Sequence, residues 1–212
     1  NTSIGILSAL YHRDANGGEG QHIDICLLDT VIASLSHWLQ IYLVNGQVPP
    51  RRGTWGNGGM PAGVFRATDG ELMVVVGNDG QFARTCQVLG APELATDPKF
   101  VKNNDRVKHG KEIMAIYAGL FLKKPVAYWL DELEKAGVPS GPINDFEQVF
   151  NDPHVQSRGM RVKVDHPFEP DLSLIRNAIT FSGTPVKEYR APPLLGAHTG
   201  EVLAGIGYDE AK

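Results

Sequence analysis

Gln21-His22-Ile23-Asp24-Ile25-Cys26 alternates polar and apolar side chains with the period of a half-buried strand, and it lies between two stretches of helical period. Upstream, Ile4, Ile6, Leu7, Leu10 and Tyr11 recur at helical spacing. That helix is expected to end near Arg13, where Asp14 and Asn16-Gly17-Gly18-Glu19-Gly20 supply turn chemistry. Downstream, Leu28, Val31, Ile32, Leu35, Trp38, Leu39 and Tyr42 form an i, i+3, i+4, i+7 stripe that predicts one long helix with a buried face. Helix, strand, helix is a piece of a layered α/β domain. The chain opens inside the first helical pattern and without Met, so it reads as a fragment entered partway.

The 212 residues are 42% hydrophobic and 21% charged, the composition of an ordinary folded domain rather than a disordered or fibrous chain. A net charge of -4 with no long basic run lacks the electrostatic footprint of a nucleic-acid binder. Cys26 and Cys86 each sit in an apolar-rich segment, which argues against a disulfide scaffold or thiolate metal site and for a reducing compartment, with the cytoplasm as the expectation. No apolar stretch approaches the roughly 20 residues of a bilayer span and no signal-peptide series opens the chain, so no membrane partner is expected. Asn1-Thr2-Ser3 fits a glycosylation acceptor and is read as chance.

Further along, Asn45-Gly46, Pro49-Pro50 and Arg51-Arg52 lead into Gly53-Thr54-Trp55-Gly56-Asn57-Gly58-Gly59-Met60-Pro61, a linker followed by a glycine-rich loop. Val64 to Ala67 and Leu72 to Val76 read as a hairpin around Asp69-Gly70, its second strand apolar throughout and expected to be buried on both faces. Helical patterns follow over Phe82 to Leu89, Lys111 to Leu122 and Val126 to Ala136, the last with Trp129, Leu130 and Leu133 inward, and Pro92, Pro98 and Pro125 stand at the breaks. Gly137 to Ile143 must be extended or turning, and Asp145 to Phe150 is one more short helix. Strands are expected around Val162 and Val164, Leu172 and Leu174, and Ile179 and Phe181. Arg190 to Gly196 then forms a connector, and Thr199 caps a last helix.

The seven histidines show no metal-ligand pair spacing, and His198 with Glu201 is isolated, so no metal is expected. Ser140 lacks the flanking glycines of a nucleophile elbow, because Val138 and Pro142 hold those places. The loop from Gly53 to Gly59 is neither a P-loop nor a dinucleotide fingerprint, since Pro61 stands where a third glycine would be needed. Its glycines have two readings: a surface loop that merely turns, or a chain without side chains that folds over a reacting group and offers N–H donors to developing negative charge. Arg51 and Arg52 are either a solvated pair or a contact for a dicarboxylate.

Several segments, in order, resemble the class III CoA-transferases, also called the carnitine-dehydratase and bile-acid-inducible CoA-transferase family. They are Gly5 to Arg13, Gly17 to Gln21, Ile23 to Asp29, Asp69-Gly70, Val76 to Phe82, Ala136 to Asn144, Asp152 to Val155, Arg158-Gly159-Met160 and Ala191 to Thr199. The resemblance covers nearly the whole chain. It implies an α/β fold in which a partial Rossmann-like large domain carries an inserted smaller α+β domain. Residues 1–45 are then a large-domain part, 46–63 the linker and glycine-rich loop, 64–159 the small domain, and 160–212 the return to the large domain. It also implies an interlocked homodimer, and acyl-CoA and carboxylic acid substrates with coenzyme A as substrate and no separate cofactor.

In that family an aspartate attacks the thioester carbonyl of an acyl-CoA to give an acyl-aspartyl anhydride and free CoA, and the acceptor carboxylate takes over through an aspartyl-CoA thioester. The resemblance places this aspartate a few residues before Asn1, and Asp14, Asp24 and Asp29 do not match its motif. What it places inside the chain is the loop that closes over the aspartate, here Gly56-Asn57-Gly58-Gly59, in a shorter form. Acyl-CoA racemases of the same family carry Glu-Pro before Gln-Phe where this chain has Asp79-Gly80, which favours the transferases. The remaining alternative is a catalytically inert structural or dimerising piece.

Overall fold

The computed structural model describes residues 1–56 and 58–208, which divide into two compact units, Asn1–Gly56 and Asn57–Lys212. The chain mixes helices with short antiparallel sheets, consistent with the expected α/β class.

The first unit holds three helices, α1 (Thr2–Ala15), α2 (Leu27–Ser34) and α3 (Ser36–Asn45). The first ends two residues beyond Arg13, with Asn16 at its C-cap. The strand expected over Gln21 to Cys26 is not formed: the segment is extended at Cys26, but among the described residues it has no ladder partner, and a strand exists only through its pairing. The single helix expected from Leu28 to Tyr42 is two, broken at Leu35 and bent by 75°. Together α2 and α3 have the length and apolarity of a bilayer span, but no single helix is long and apolar enough to cross a membrane. No residue of the three helices is buried, and Leu27, Leu43 and Val44 are more than 70% exposed. The apolar stripe is present on these helices, and no residue of it is buried.

The second unit is built on a three-stranded antiparallel sheet in the order β1 (Ala62–Arg66), β2 (Glu71–Val75), β3 (Ser140–Pro142). The hairpin forms as expected, with Phe65 opposite Leu72 and Val64 opposite Met73. Its second strand is not buried on both faces. Leu72, Val74 and Val76 are fully buried while Val75 is 40% exposed, because helices cover one face of this small sheet. The segment from Gly137 gains a strand by pairing Ser140 with Val74 and Pro142 with Leu72.

Helices α4 (Asp79–Val88), α5 (Asn103–Lys108), α6 (Gly110–Phe121) and α7 (Val126–Lys135) supply the rest of the core, with a 3₁₀ turn at Pro92–Ala95. Neither α5 nor that turn was visible in the periodicity, both being shorter than two helical turns. Phe65 stacks on Phe121 at 4.9 Å, and Phe121 meets Trp129 edge-on at 5.2 Å. The Trp129 indole N–H donates to the Phe121 carbonyl at 2.8 Å, so the ring is buried without an orphaned donor. Leu130, expected inward, is only half-buried. Asp69 of the hairpin turn accepts the Val126 N–H at 2.8 Å, so the turn caps α7 from across the sheet.

Two short helices follow, α8 (Phe146–Asn151) and α9 (Pro153–Ser157). The first carries a capping box between Asp145 and Gln148, and the second, not expected, starts on the Asp152 side chain with Pro153 in its first turn. The strands expected around Val162 and Val164 and around Leu172 and Leu174 form as β4 (Arg161–His166) and β5 (Glu169–Ile175), which pair antiparallel. Ile179 and Phe181 form no strand; they are exposed and unpaired in any ladder. The last helix, α10 (Thr199–Gly205), has His198 at its N-cap with no side-chain capping bond, so Thr199 lies one residue inside it.

Candidate active-site loop

Of the four loop residues singled out from the sequence, Gly56 closes the first unit and Asn57 lies outside the described residues. Gly58 and Gly59 belong to the second unit, where their surroundings are well defined. Gly58 is exposed and has φ +110°, a conformation that side-chain-bearing residues rarely adopt. Gly59 lies flat against the end of β2: a Cβ built there would stand 2.3 Å from the Val76 carbonyl oxygen and 3.1 Å from the Gly77 Cα. The glycines are therefore required by backbone approach at one position and backbone conformation at the other.

The stem that follows is clamped. Met60 is buried, its N–H donates to the Asn103 side-chain oxygen at 3.0 Å, and its carbonyl accepts Arg106 Nε at 2.6 Å. Asn103 Nδ2 donates to the Gly58 carbonyl at 2.7 Å. The peptide between Met60 and Pro61 is cis, and Pro61 then joins the sheet by accepting the Val76 N–H at 3.0 Å.

Arg106 organises this corner. It is fully buried on a short polar helix, and its guanidinium also donates to the Phe100 carbonyl at 2.7 Å and to Asp79 Oδ1 at 2.9 Å, while lying 4.3 Å above the Phe82 ring. A buried guanidinium is tolerable only when its donors are matched in this way. Asp79 opens α4 and also accepts the Asn103 N–H at 3.0 Å. The Arg106 hydrogen bond holds the Asp79 carboxyl below the usual aspartate range, with partial desolvation opposing and the Asn103 N–H and the Lys102 charge assisting. Beside it, Asn78 caps α4 through the Gln81 N–H at 2.9 Å, and the Gln81 side chain returns to accept the Gly77 N–H at 2.7 Å.

The segment Val76 to Phe82, one of those that carry the family resemblance, is thus the structural seat of the loop stem. Asn103 and Arg106 were missed. Asn103-Asn104-Asp105-Arg106 reads as a solvated polar run, and nothing in its spacing says that two of its members turn inward. Asp14 and Asp29 are exposed, and the Arg52 guanidinium carbon lies 5.8 Å from the centre of the Trp38 ring. No group of three or more His, Cys, Asp or Glu among the described residues is placed to hold a metal ion.

The sequence model of CoA-transferase family III matches residues 1–199. The succinate–glutarate CoA-transferase of Agrobacterium fabrum is 40% identical over 201 residues, covering 95% of this chain and 50% of that protein. The acetyl-CoA:oxalate CoA-transferase of Acetobacter aceti is 42% identical over 159 residues, covering 75% of this chain and 41% of that protein. A crystal structure of a CaiB/BaiF family protein from Brucella suis superposes with a TM-score of 0.77 at 34% identity, covering 96% of this chain and 52% of that one. The chain spans about half the length of the curated relatives it matches.

Proposed function

The chain belongs to CoA-transferase family III, and from that premise we propose that the protein moves coenzyme A between an acyl-CoA and a free carboxylic acid through an aspartyl anhydride. The observation that carries the reading is the glycine-rich loop, whose stem at Gly58 to Met60 is held against the sheet by Asn103 and Arg106. Both curated relatives described above are named for dicarboxylates, which makes a small dicarboxylic acid the acceptor class to try first.

The steps balance without redox chemistry. An aspartate oxygen attacks the thioester carbonyl carbon, the C–S bond breaks, and CoA leaves as a thiolate. The thiolate then attacks the aspartyl carbonyl of the anhydride, expelling the donor as a carboxylate. The acceptor carboxylate attacks the aspartyl-CoA thioester, releasing the thiolate once more, and the thiolate takes the acceptor's acyl group and restores the aspartate. Every intermediate is open to hydrolysis. A loop of glycines lying over it excludes water and brings N–H donors to the developing oxyanion. The aspartate is assigned to the part of the family's length that this chain does not span.

In the same reading residues 1–45 and 160–212 belong to a Rossmann-like large domain, residues 64–159 to an inserted small domain, and two subunits interlock in the cytoplasm. The exposed apolar faces of α1 to α3 support it, since helices of this kind are stabilised mainly by what covers them. The test is to incubate the full-length protein with succinyl-CoA and a series of dicarboxylic acids. New CoA esters with equimolar succinate are expected, and none above the buffer rate overturns the reading. The 212-residue chain by itself is expected to form none.

A further inference from the structure

We propose that Asn103 is a positioning residue for the glycine-rich loop: its side-chain amide, on a residue whose backbone is held by Asp79, fixes the loop's stem at Gly58 to Met60, and the loop's protection of the reacting carbonyl depends on that hold. The inference rests on the proposed transferase function and goes beyond it by naming what holds the loop.

The geometry is that of a side chain standing in for a neighbouring strand. Asn103 Nδ2 donates to the Gly58 carbonyl at 2.7 Å and Oδ1 accepts the Met60 N–H at 3.0 Å, so one amide pairs both polar edges of the stem. Asparagine is the side chain suited to this, offering a donor and an acceptor on one planar group at this reach. Glycine-rich backbone has little intrinsic preference for one conformation, so external bonds must choose it. The residue that carries the amide is in turn held in place. Its own backbone N–H is bonded to Asp79 Oδ1, the same oxygen that accepts Arg106 Nη2, and Arg106 Nε holds the Met60 carbonyl. Both backbone polar groups of Met60 are thereby fixed from α5, 43 and 46 residues away in sequence. Gly58 itself is exposed, and among the described residues no atom outside its chain neighbours lies within 4 Å of where a Cβ would be.

If Asn103 sets the loop, its loss changes the fate of the intermediate and not merely the amount of folded enzyme. The test compares Asn103→Ala and the isosteric Asn103→Asp with the parent in the full-length protein, using two measurements. The first is hydrogen exchange at the Met60 amide. Losing one such bond is expected to speed exchange about tenfold in Asn103→Ala, while Asn103→Asp, which keeps the acceptor, stays near the parent. The second is the ratio of thioester hydrolysis to transfer with succinyl-CoA and a dicarboxylic acid, expected to rise about tenfold in Asn103→Ala and less in Asn103→Asp. A merely structural residue would lower both reactions together and leave their ratio alone. Parental exchange in both variants overturns the clamp, whether or not the protein is a transferase. Increased exchange with a parental hydrolysis-to-transfer ratio overturns the positioning role. Should the parent show no transfer at all, the proposed function fails, the positioning role fails with it, and exchange still judges whether Asn103 holds the stem.

Discussion

Arg106 reaches 46 residues back along the chain to donate its Nε proton to the carbonyl oxygen of Met60 at 2.6 Å. That contact joins a fully buried cation to the stem of an otherwise glycine-built loop.

Arg106→Ala is expected to destabilise the protein by about 3 kcal/mol or more, since it leaves the Met60 and Phe100 carbonyls without their donor and opens a cavity over Phe82. Arg106→Lys should recover only part of this, because one ammonium cannot replace a fork that spans three acceptors. Urea unfolding measures both, and a loss under about 1 kcal/mol for the alanine variant would contradict the clamp.

Asp79 gives the corner a pH dependence of known sign. Its folded value lies below the ordinary 3.8, so its contribution to stability is complete above that value and is lost as pH falls through the lowered one. Parent and Asp79→Asn should differ most near neutral pH and converge as the solution is acidified below 3.8. A stability difference that stays constant down to pH 2 would remove Asp79 from the network.

The two thiols should react very differently. Cys26 is exposed at the N-cap of α2, where the backbone N–H groups of Asp29 and Leu28 pull its pKa down. Cys86 is buried against the Tyr117 hydroxyl at 3.5 Å, and burial pushes its pKa up. In the 212-residue chain iodoacetamide at pH 8 should alkylate Cys26 promptly and Cys86 only after unfolding. Rapid modification of both would show the core to be open.

Gly59→Ala should destabilise more than Gly58→Ala. The first drives a Cβ into the carbonyl of Val76, just past β2, whose N–H is tied to the Pro61 carbonyl, whereas the second meets open space and costs only the strain of φ +110°, about 1–3 kcal/mol. Replacing both together, an obvious probe of the loop, would therefore mix a folding defect with any effect on the reaction. Melting temperatures in the reverse order would refute this account.

Association tests the exposed helices. With Leu7, Leu27, Leu28, Leu43 and Val44 all more than 60% exposed, residues 1–45 present more apolar surface than an isolated chain commonly leaves uncovered. Light scattering of the 212-residue chain at micromolar concentration should report self-association, and a monodisperse species of 23.1 kDa would argue against it.

What the sequence determined by itself is whatever depends on neighbours along the chain. The Asp69-Gly70 hairpin, the amphipathic helices α4, α6 and α7, and the start of α8 at Asp145 were legible because turn chemistry, 3.6-residue periodicity and capping are local. The glycine loop was legible as composition, and the order of short motifs pointed to the family. Tertiary structure alone decided the rest. Gln21 to Cys26 has the alternation of a strand and forms none, because pairing needs a partner that periodicity cannot supply. The stripe from Leu28 to Tyr42 bends at Leu35, and none of its apolar residues is buried, because period states which face is apolar and not what covers it. Above all, Asn103 and Arg106 read as solvated polar residues until folding brought α5 against the loop stem, where the carbonyls of Gly58 and Met60 needed donors that only side chains distant in sequence could provide.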